Sequence, residues 1–187
     1  MLNNHDRDVV VAQPSVQVGH DDHVTERDRD EAGRPRNSRP RDILGRLLPP
    51  GSQGVPRIPD ELDLSPVEFL SYAQDLLNEG RAFHAHEVLE AAWKSRPDDE
   101  GPLWQGLAQL AVGITHVQRD NLDGAIALLK RGSGRLREVD RPVPHGVDVD
   151  GLLGWAADLA DDLAGGKAIS PQRLQPALTS PPPVRVR

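Results

Sequence analysis

The fold is decided by residues 65–95, which read SPVEFLSYAQDLLNEGRAFHAHEVLEAAWKS. Ser65 can cap a helix, the proline after it fits the first helical turn, and Glu68 completes a capping box. Apolar residues then recur at helical spacing as far as Gly80, and a second helical period runs from about 82 to 94. The connection between the two periods is very short, so it predicts a pair of antiparallel neighbouring helices.

Three further helical periods follow. They run from Asp98 or Asp99 to about Arg119, from Leu122 to roughly Arg137, and from about Val149 to Ala164. No strand pattern competes with them. We therefore expect an all-α fold, a compact bundle of about five helices built from helical hairpins over residues 65–165. Two hairpins in tandem also resemble tetratricopeptide-type repeats.

Both ends of the chain differ in composition from the helical region. Residues 1–42 are rich in charge of both signs and poor in apolar residues, so they are predicted to be a disordered arm. Residues 43–64 are expected to lie extended against the domain, and the Pro-rich residues 166–187 to form a loose tail. Five arginines and one aspartate lie between positions 33 and 46, which favours a solvated linker over a phosphate-contacting arm.

Composition excludes several classes of function. The formal net charge is −7 and the pI about 5.4, so nucleic acid contact is expected at most through the Arg-rich arm. The absence of cysteine excludes disulfides, thiolate zinc sites, iron–sulfur clusters and cysteine nucleophiles. No apolar run reaches the ~18 residues of a membrane span, and the first residues lack the pattern of a signal peptide. We therefore expect a cytoplasmic protein without membrane contact.

Helical geometry gathers polar residues on two of the predicted helices. In the second helix, His86 and Glu90 are four residues apart and share a face, with Trp93 beside His86. Glu87 lies about 100° further round the same helix. The third helix is apolar almost all round, apart from one narrow polar stripe formed by Gln105, Gln109 and His116. Because buried polar atoms need partners, one satisfactory arrangement places this stripe against the face of His86 and Glu90.

Such a convergence would bring two histidines, two carboxylates and two amides together between helices. These side chains suit a hard or borderline divalent ion such as manganese, iron, magnesium or zinc. In that case His86, Glu90 and His116 would be the metal ligands. Glu87 or Glu90 would serve as general base to a bound water. The residues that would contact a bound ligand are Trp93, Gln105 and Gln109.

A structural interpretation competes with this one. His86 and Glu90 could form an ordinary hydrogen-bonded pair that orients a core histidine, while the glutamine stripe faces water. His84, on the same helix, is expected to be exposed. Glu90 stands where a zinc protease has its second histidine, so that class of enzyme is not predicted.

The same residues carry a resemblance to a known family. The features are His86-x-x-x-Glu90-x-x-Trp93, the segment Trp104-Gln105-Gly106-Leu107-Ala108-Gln109, His116, and Asn121-Leu122-x-Gly124-Ala125. Together they resemble the bacterial and archaeal "domain of unknown function 309" family over roughly residues 66–140. The resemblance implies a compact all-helical domain and marks His86, Glu90 and Trp93 as residues of interest. It implies no reaction, because the biochemical role of that family is not established.

These observations leave two hypotheses of function. In the first, the domain binds a divalent metal or a small polar ligand in a pocket between its helices, and a metal-dependent hydrolase is the enzyme class that suits such a site. In the second, the domain is a tetratricopeptide-like interaction module in which the His86–Glu90 pair is structural. Its helices would then bind a partner protein or a second copy of the chain.

Overall fold

The computed structural model of this chain describes residues 39–59, 62–95 and 98–180. Its helices are α1 (Pro66–Asn78), α2 (Ala82–Ser95), α3 (Gly101–Gln118), α4 (Leu122–Arg137) and α5 (Val149–Ala164). Within these residues there is no β-strand, so the predicted all-α fold of about five helices is confirmed. The predicted disordered arm lies outside the described part of the chain over residues 1–38. No helix among the described residues is long and apolar enough to cross a membrane.

Side-chain caps begin three of the helices. At α1 the capping box is present: the Ser65 amide donates to Glu68 Oε2 over 2.8 Å, and the Glu68 amide donates to Ser65 Oγ over 3.4 Å. The Asn121 side chain accepts from the third residue of α4, and the Asp148 side chain accepts from the third residue of α5. These bonds satisfy N–H groups that the first helical turn leaves free, so the helices begin where the local sequence predicts.

Successive helices pack against one another in chain order, and α3 lies in the middle of the series. Trp104 of α3 is fully buried and meets Phe69 of α1 edge-on, with ring centroids 6.2 Å apart. α3 and α4 approach each other closely at two glycines, because a Cβ on Gly132 would lie 2.9 Å from the carbonyl oxygen of Gly106. The hairpin of α3 and α4 therefore depends on the absence of side chains at this crossing.

The segment before α1 lies against α2 and the end of α3. Gly45 has φ +74° and packs so closely on the Phe83 ring that any Cβ would overlap it. The Arg119 side chain donates to the Leu44 carbonyl with an Nε–O distance of 2.8 Å. Ile58 is buried in the core. The backbone turns around Gly45, so this part of the predicted extended segment is a tight loop.

The C-terminal segment departs from the sequence-based expectation. Leu178 is buried, and its amide donates to Gln74 Oε1 of α1 over 2.8 Å. Gln74 Nε2 in turn donates to the Pro176 carbonyl over 3.1 Å. Residues 175–178, which fall within the predicted loose tail, therefore bond to α1, and Leu178 packs into the core. The rest of the predicted tail, residues 181–187, lies outside the described part of the chain.

Candidate functional site

α2 presents the predicted His–Glu pair along one face. The His86 Nε2 atom lies 3.4 Å from Glu90 Oε2, and the other carboxylate oxygen, Oε1, lies 2.8 Å from Lys94 Nζ. The three residues follow one another at four-residue spacing, which brings their side chains together on the helix surface. His86 and Glu90 are half-buried, whereas Lys94 is largely exposed. Glu90 is thus held by two partners, and the same spacing would have identified Lys94 from the sequence.

The register between α2 and α3 follows from one close approach. A Cβ at Gly101 would lie 3.9 Å from Trp93 Nε1, so the end of α2 meets the start of α3. Glu90 is three residues back from this point along α2, and Gln105 is four residues forward along α3. At 1.5 Å per residue, these distances are about 4.5 and 6 Å along the two antiparallel helices. Glu90 and Gln105 therefore lie at similar levels.

The same register brings His86 to the level of Gln109. His86 is seven residues back along α2 and Gln109 is eight residues forward along α3, or about 10.5 and 12 Å from the crossing. All of these side chains are half-buried. We name His86, Glu90, Gln105 and Gln109, which lie at matching levels on the two helices, the α2–α3 polar face.

Two buried atoms of this face, His86 Nδ1 and Gln109 Oε1, have no hydrogen-bond partner among the described residues. Burial lowers the pKa of His86, while Glu90 acts to raise it and Lys94 to lower it. The Phe83 carbonyl also acts to raise this pKa, but Nδ1 makes no hydrogen bond of standard geometry. The net effect is a lowered pKa, which keeps the His86 ring neutral at pH 7.

Both unpaired atoms can accept a hydrogen bond. In a neutral imidazole one nitrogen carries the proton and the other accepts. His86 Nε2 faces the Glu90 carboxylate, which can only accept; in the tautomer that donates to Glu90, Nε2 carries the proton and Nδ1 is the acceptor. Gln109 Oε1 is a carbonyl oxygen and accepts as well. The α2–α3 polar face therefore suits a group that brings hydrogen-bond donors or positive charge.

His116 does not join this face. It lies seven residues beyond Gln109, about 10 Å further along α3, at the turn into α4. Its Nδ1 atom is 2.8 Å from Asn121 Nδ2. In the described part of the chain, no three histidine, aspartate or glutamate side chains are grouped so that they could hold a metal ion. The predicted three-ligand metal site of His86, Glu90 and His116 is therefore not formed.

The remaining candidates occupy different positions. Trp93 is 39% exposed at the end of α2. Glu87 is half-buried, about 100° round α2 from His86. His84 is buried, contrary to expectation; its ring meets Phe83 edge-on with centroids 5.6 Å apart, and burial lowers its pKa. His84 lies four residues before buried Val88, so its position beside the apolar arc of α2 could have indicated this burial.

Surface cavities lie away from the α2–α3 polar face. One of about 250 Å³ lies between the α1–α2 turn, the end of α3 and the C-terminal segment, with Gln118 in its wall. Another of about 210 Å³ lies between α1 and the C-terminal segment beside His145, and a third of about 180 Å³ lies between α4 and α5. None of these three cavities is the pocket between α2 and α3 that was expected.

The comparisons with known proteins concern the same helices. Residues 70–128 match the model of the family described as "Domain of unknown function (DUF309)". The match confirms the predicted resemblance to this family and spans all four residues of the α2–α3 polar face. No curated protein and no solved structure matches the chain.

Proposed function

We propose that this domain, whose matching family is described only as a domain of unknown function, binds a small cationic ligand on the α2–α3 polar face. One observation carries the proposal: His86 Nδ1 and Gln109 Oε1 are buried polar atoms that make no hydrogen bond to a described residue. Leaving a buried acceptor unpaired costs about 1–3 kcal/mol, and native proteins keep few such groups. A ligand that donates to both atoms would offset this cost.

The ligand class follows from the charges and atoms of the face. A neutral imidazole nitrogen, an amide oxygen and the Glu90 carboxylate together suit either an organic amine or a divalent cation. The amine is the better match, because its N–H groups can donate to His86 and Gln109 while its charge replaces that of Lys94 beside Glu90. Both acceptor atoms are shielded from water, so the ligand reaches them when these half-buried side chains rotate.

A divalent cation is the second form of this proposal. Only His86 and Glu90 would provide imidazole and carboxylate ligands, and Gln109 would add an amide oxygen, so water would complete the coordination. A metal-dependent hydrolase would further require a general base, for which Glu87 is the nearest candidate in sequence. Trp93 and Gln105 would contact the ligand, whether it is an amine or a divalent cation.

The test uses two probes on chelator-treated protein: manganese(II) alone and putrescine alone. We expect one of them to raise the melting temperature of the wild type, because a ligand at a hundred times its Kd stabilises the folded state by about 2.7 kcal/mol. Glu90→Gln should fold normally and lose this response. Glu138→Gln is the matched control, since Glu138 is exposed and pairs only with Arg135 among the described residues.

The opposite outcome is equally clear. If neither probe raises the melting temperature and Glu90→Gln alone lowers it, the His86–Glu90–Lys94 row is structural. The ligand proposal would then be abandoned.

A second candidate function is self-association through the helical hairpins. The observation that favours it is exposed apolar surface on α1 and α2, where Val67 is 63% and Trp93 39% exposed. In this case the His86–Glu90 pair would stabilise α2, as the interaction-module hypothesis supposes. Sedimentation velocity over a range of concentrations tests it: a dimer that Trp93→Ser dissociates would support it, and a monomer at all concentrations would contradict it.

A further inference from the structure

Two arginines lie against one aromatic ring where the N-terminal loop meets α2 and α3, and a third belongs to the same loop. The guanidinium carbon of Arg41 lies 5.5 Å from the centre of the Phe83 ring, and that of Arg119 lies 5.7 Å from it. Arg46 is exposed, and its charge acts on Arg119 as that of Arg41 does. Asp42 is the only carboxylate among the groups whose charges shift the pKa of Arg119. We name Arg41, Arg46 and Arg119 the arginine cluster.

The loop backbone holds two of these guanidinium groups in place. Arg41 Nη1 donates to the Gly45 carbonyl over 2.6 Å, while Arg119 donates to the Leu44 carbonyl through Nε over 2.8 Å and also through Nη2. Asp42 Oδ1 accepts from two loop amides, over 2.9 and 2.8 Å, and so fixes the loop itself. Among the described residues these bonds occupy three of the ten N–H groups of the two side chains. Binding an anion here would therefore cost little conformational entropy.

Positive charge in the cluster is only partly neutralised. Burial lowers the pKa of Arg119; Asp42 opposes this lowering, while Arg46 and Arg41 add to it. Three guanidinium groups against one carboxylate leave an excess of two positive charges, in a chain of formal net charge −7. Within the described residues, Arg46 is bonded only through its backbone, and its side chain has no hydrogen bond or ion pair. An anion would relieve the repulsion among the three cations.

We propose that the arginine cluster binds the phosphate group of a small phosphorylated ligand. A guanidinium group presents paired N–H donors that match the oxygens of a phosphate. The excess of two positive charges matches the roughly −1.5 to −2 charge of a phosphate monoester at neutral pH. A long polyanion is a poorer match, because the net negative charge of the rest of the chain repels it. The site adjoins the α2–α3 polar face, since the Phe83 and His86 ring centroids lie 6.1 Å apart, but it does not depend on the function proposed there.

Isothermal titration calorimetry of the full chain with pyrophosphate, in chloride buffer of matched ionic strength, tests this proposal. We expect saturable binding by the wild type and at least about tenfold weaker binding by Arg46→Gln, since a charge-assisted hydrogen-bonded contact is lost. Arg57→Gln is the matched control, because it removes the same charge from an exposed position of the same segment. It should bind as the wild type does. Far-UV circular dichroism verifies that both variants fold.

Three results would overturn the proposal. The first is no saturable binding by the wild type, and the second is equal affinity of the wild type and Arg46→Gln. The third is equal weakening by Arg57→Gln, which would show that binding depends only on the net charge of the chain. A short single-stranded oligonucleotide in the same buffer should bind more weakly than pyrophosphate; tighter binding would replace the small ligand with a nucleic acid. Glu90→Gln should bind pyrophosphate as the wild type does, which keeps this test independent of the α2–α3 polar face.

Discussion

Replacing Gln109 with methionine should make the ligand-free protein more stable. Gln109 Oε1 is buried without a partner among the described residues, and an unpaired buried acceptor costs about 1–3 kcal/mol. Methionine has a similar length and nearly the same helix propensity as glutamine, so the backbone of α3 should not resist the change. The half-buried position limits the gain, and we expect the free energy of unfolding to rise by about 1 kcal/mol.

Gln118 provides the matched control for this substitution. Its Oε1 atom is also buried without a partner among the described residues, but its Nε2 atom donates to the Gly80 carbonyl over 2.7 Å. Gln118→Met removes the same unpaired oxygen and also loses this hydrogen bond, which contributes about 0.5–1.5 kcal/mol. We therefore expect Gln118→Met to be about 1 kcal/mol less stable than Gln109→Met.

Urea unfolding, followed by circular dichroism, measures both differences. The protein should first be refolded from denaturant and dialysed against a chelator, so that no bound ligand contributes to stability. A loss of about 1 kcal/mol or more in Gln109→Met would refute the reasoning. It would mean that Gln109 makes a stabilising bond and that the α2–α3 polar face needs no ligand.

Three other predictions concern stability. Gly132→Ala should destabilise the protein by about 1–2 kcal/mol, because its Cβ would lie 2.9 Å from the Gly106 carbonyl oxygen. Gly134→Ala in the same helix has open space and should stabilise the protein by about 0.5–1 kcal/mol. If urea unfolding showed that both substitutions change stability in the same direction, the close crossing would be contradicted. Gln74→Met removes two of the bonds that tie the C-terminal segment to α1. We expect a loss of about 2 kcal/mol and faster limited proteolysis of that segment, and unchanged cleavage would contradict this. The pKa of buried His84 is lowered in the folded state, so below the ordinary value of about 6.5 the unfolded state binds more protons than the folded state. The free energy of unfolding should therefore be highest above that pH. It should fall as the pH drops below it, by at most about 1.4 kcal/mol per pH unit for this histidine. Unfolding measured between pH 7.5 and 5.5 should show a shallower slope for His84→Leu, and an unchanged slope would show that His84 does not contribute.

The helices could be predicted because their determinants are local. The capping box of Ser65 and Glu68, the Asn121 cap and the apolar periods each act within a few residues of chain, and the structure contains all of them. The C-terminal segment could not be predicted in the same way. Its order depends on Gln74, which lies about a hundred residues earlier in the chain, and composition alone does not reveal such a long-range bond.

In the candidate site, too, contacts between residues close in sequence could be predicted and longer-range arrangements could not. The proximity of His86 and Glu90 follows from four-residue spacing on one helix, and the structure contains it. The inclusion of His116 failed because a shared helical stripe says nothing of distance along the axis, and His116 lies about 10 Å beyond Gln109. The burial of His84 was missed, although its four-residue spacing from buried Val88 places it beside the apolar arc of α2.

The most direct measurement of ligand binding is mass analysis of the protein as it is purified. Native mass spectrometry and elemental analysis should be run on untagged protein purified without chelators, and the wild type should be compared with His86→Ala. We expect the wild type to carry a small molecule or a near-stoichiometric metal that denaturation releases and that the variant lacks. If both proteins had the mass of the polypeptide alone and His86→Ala were less stable, a ligand on the α2–α3 polar face would be contradicted. His86 would then be a structural residue.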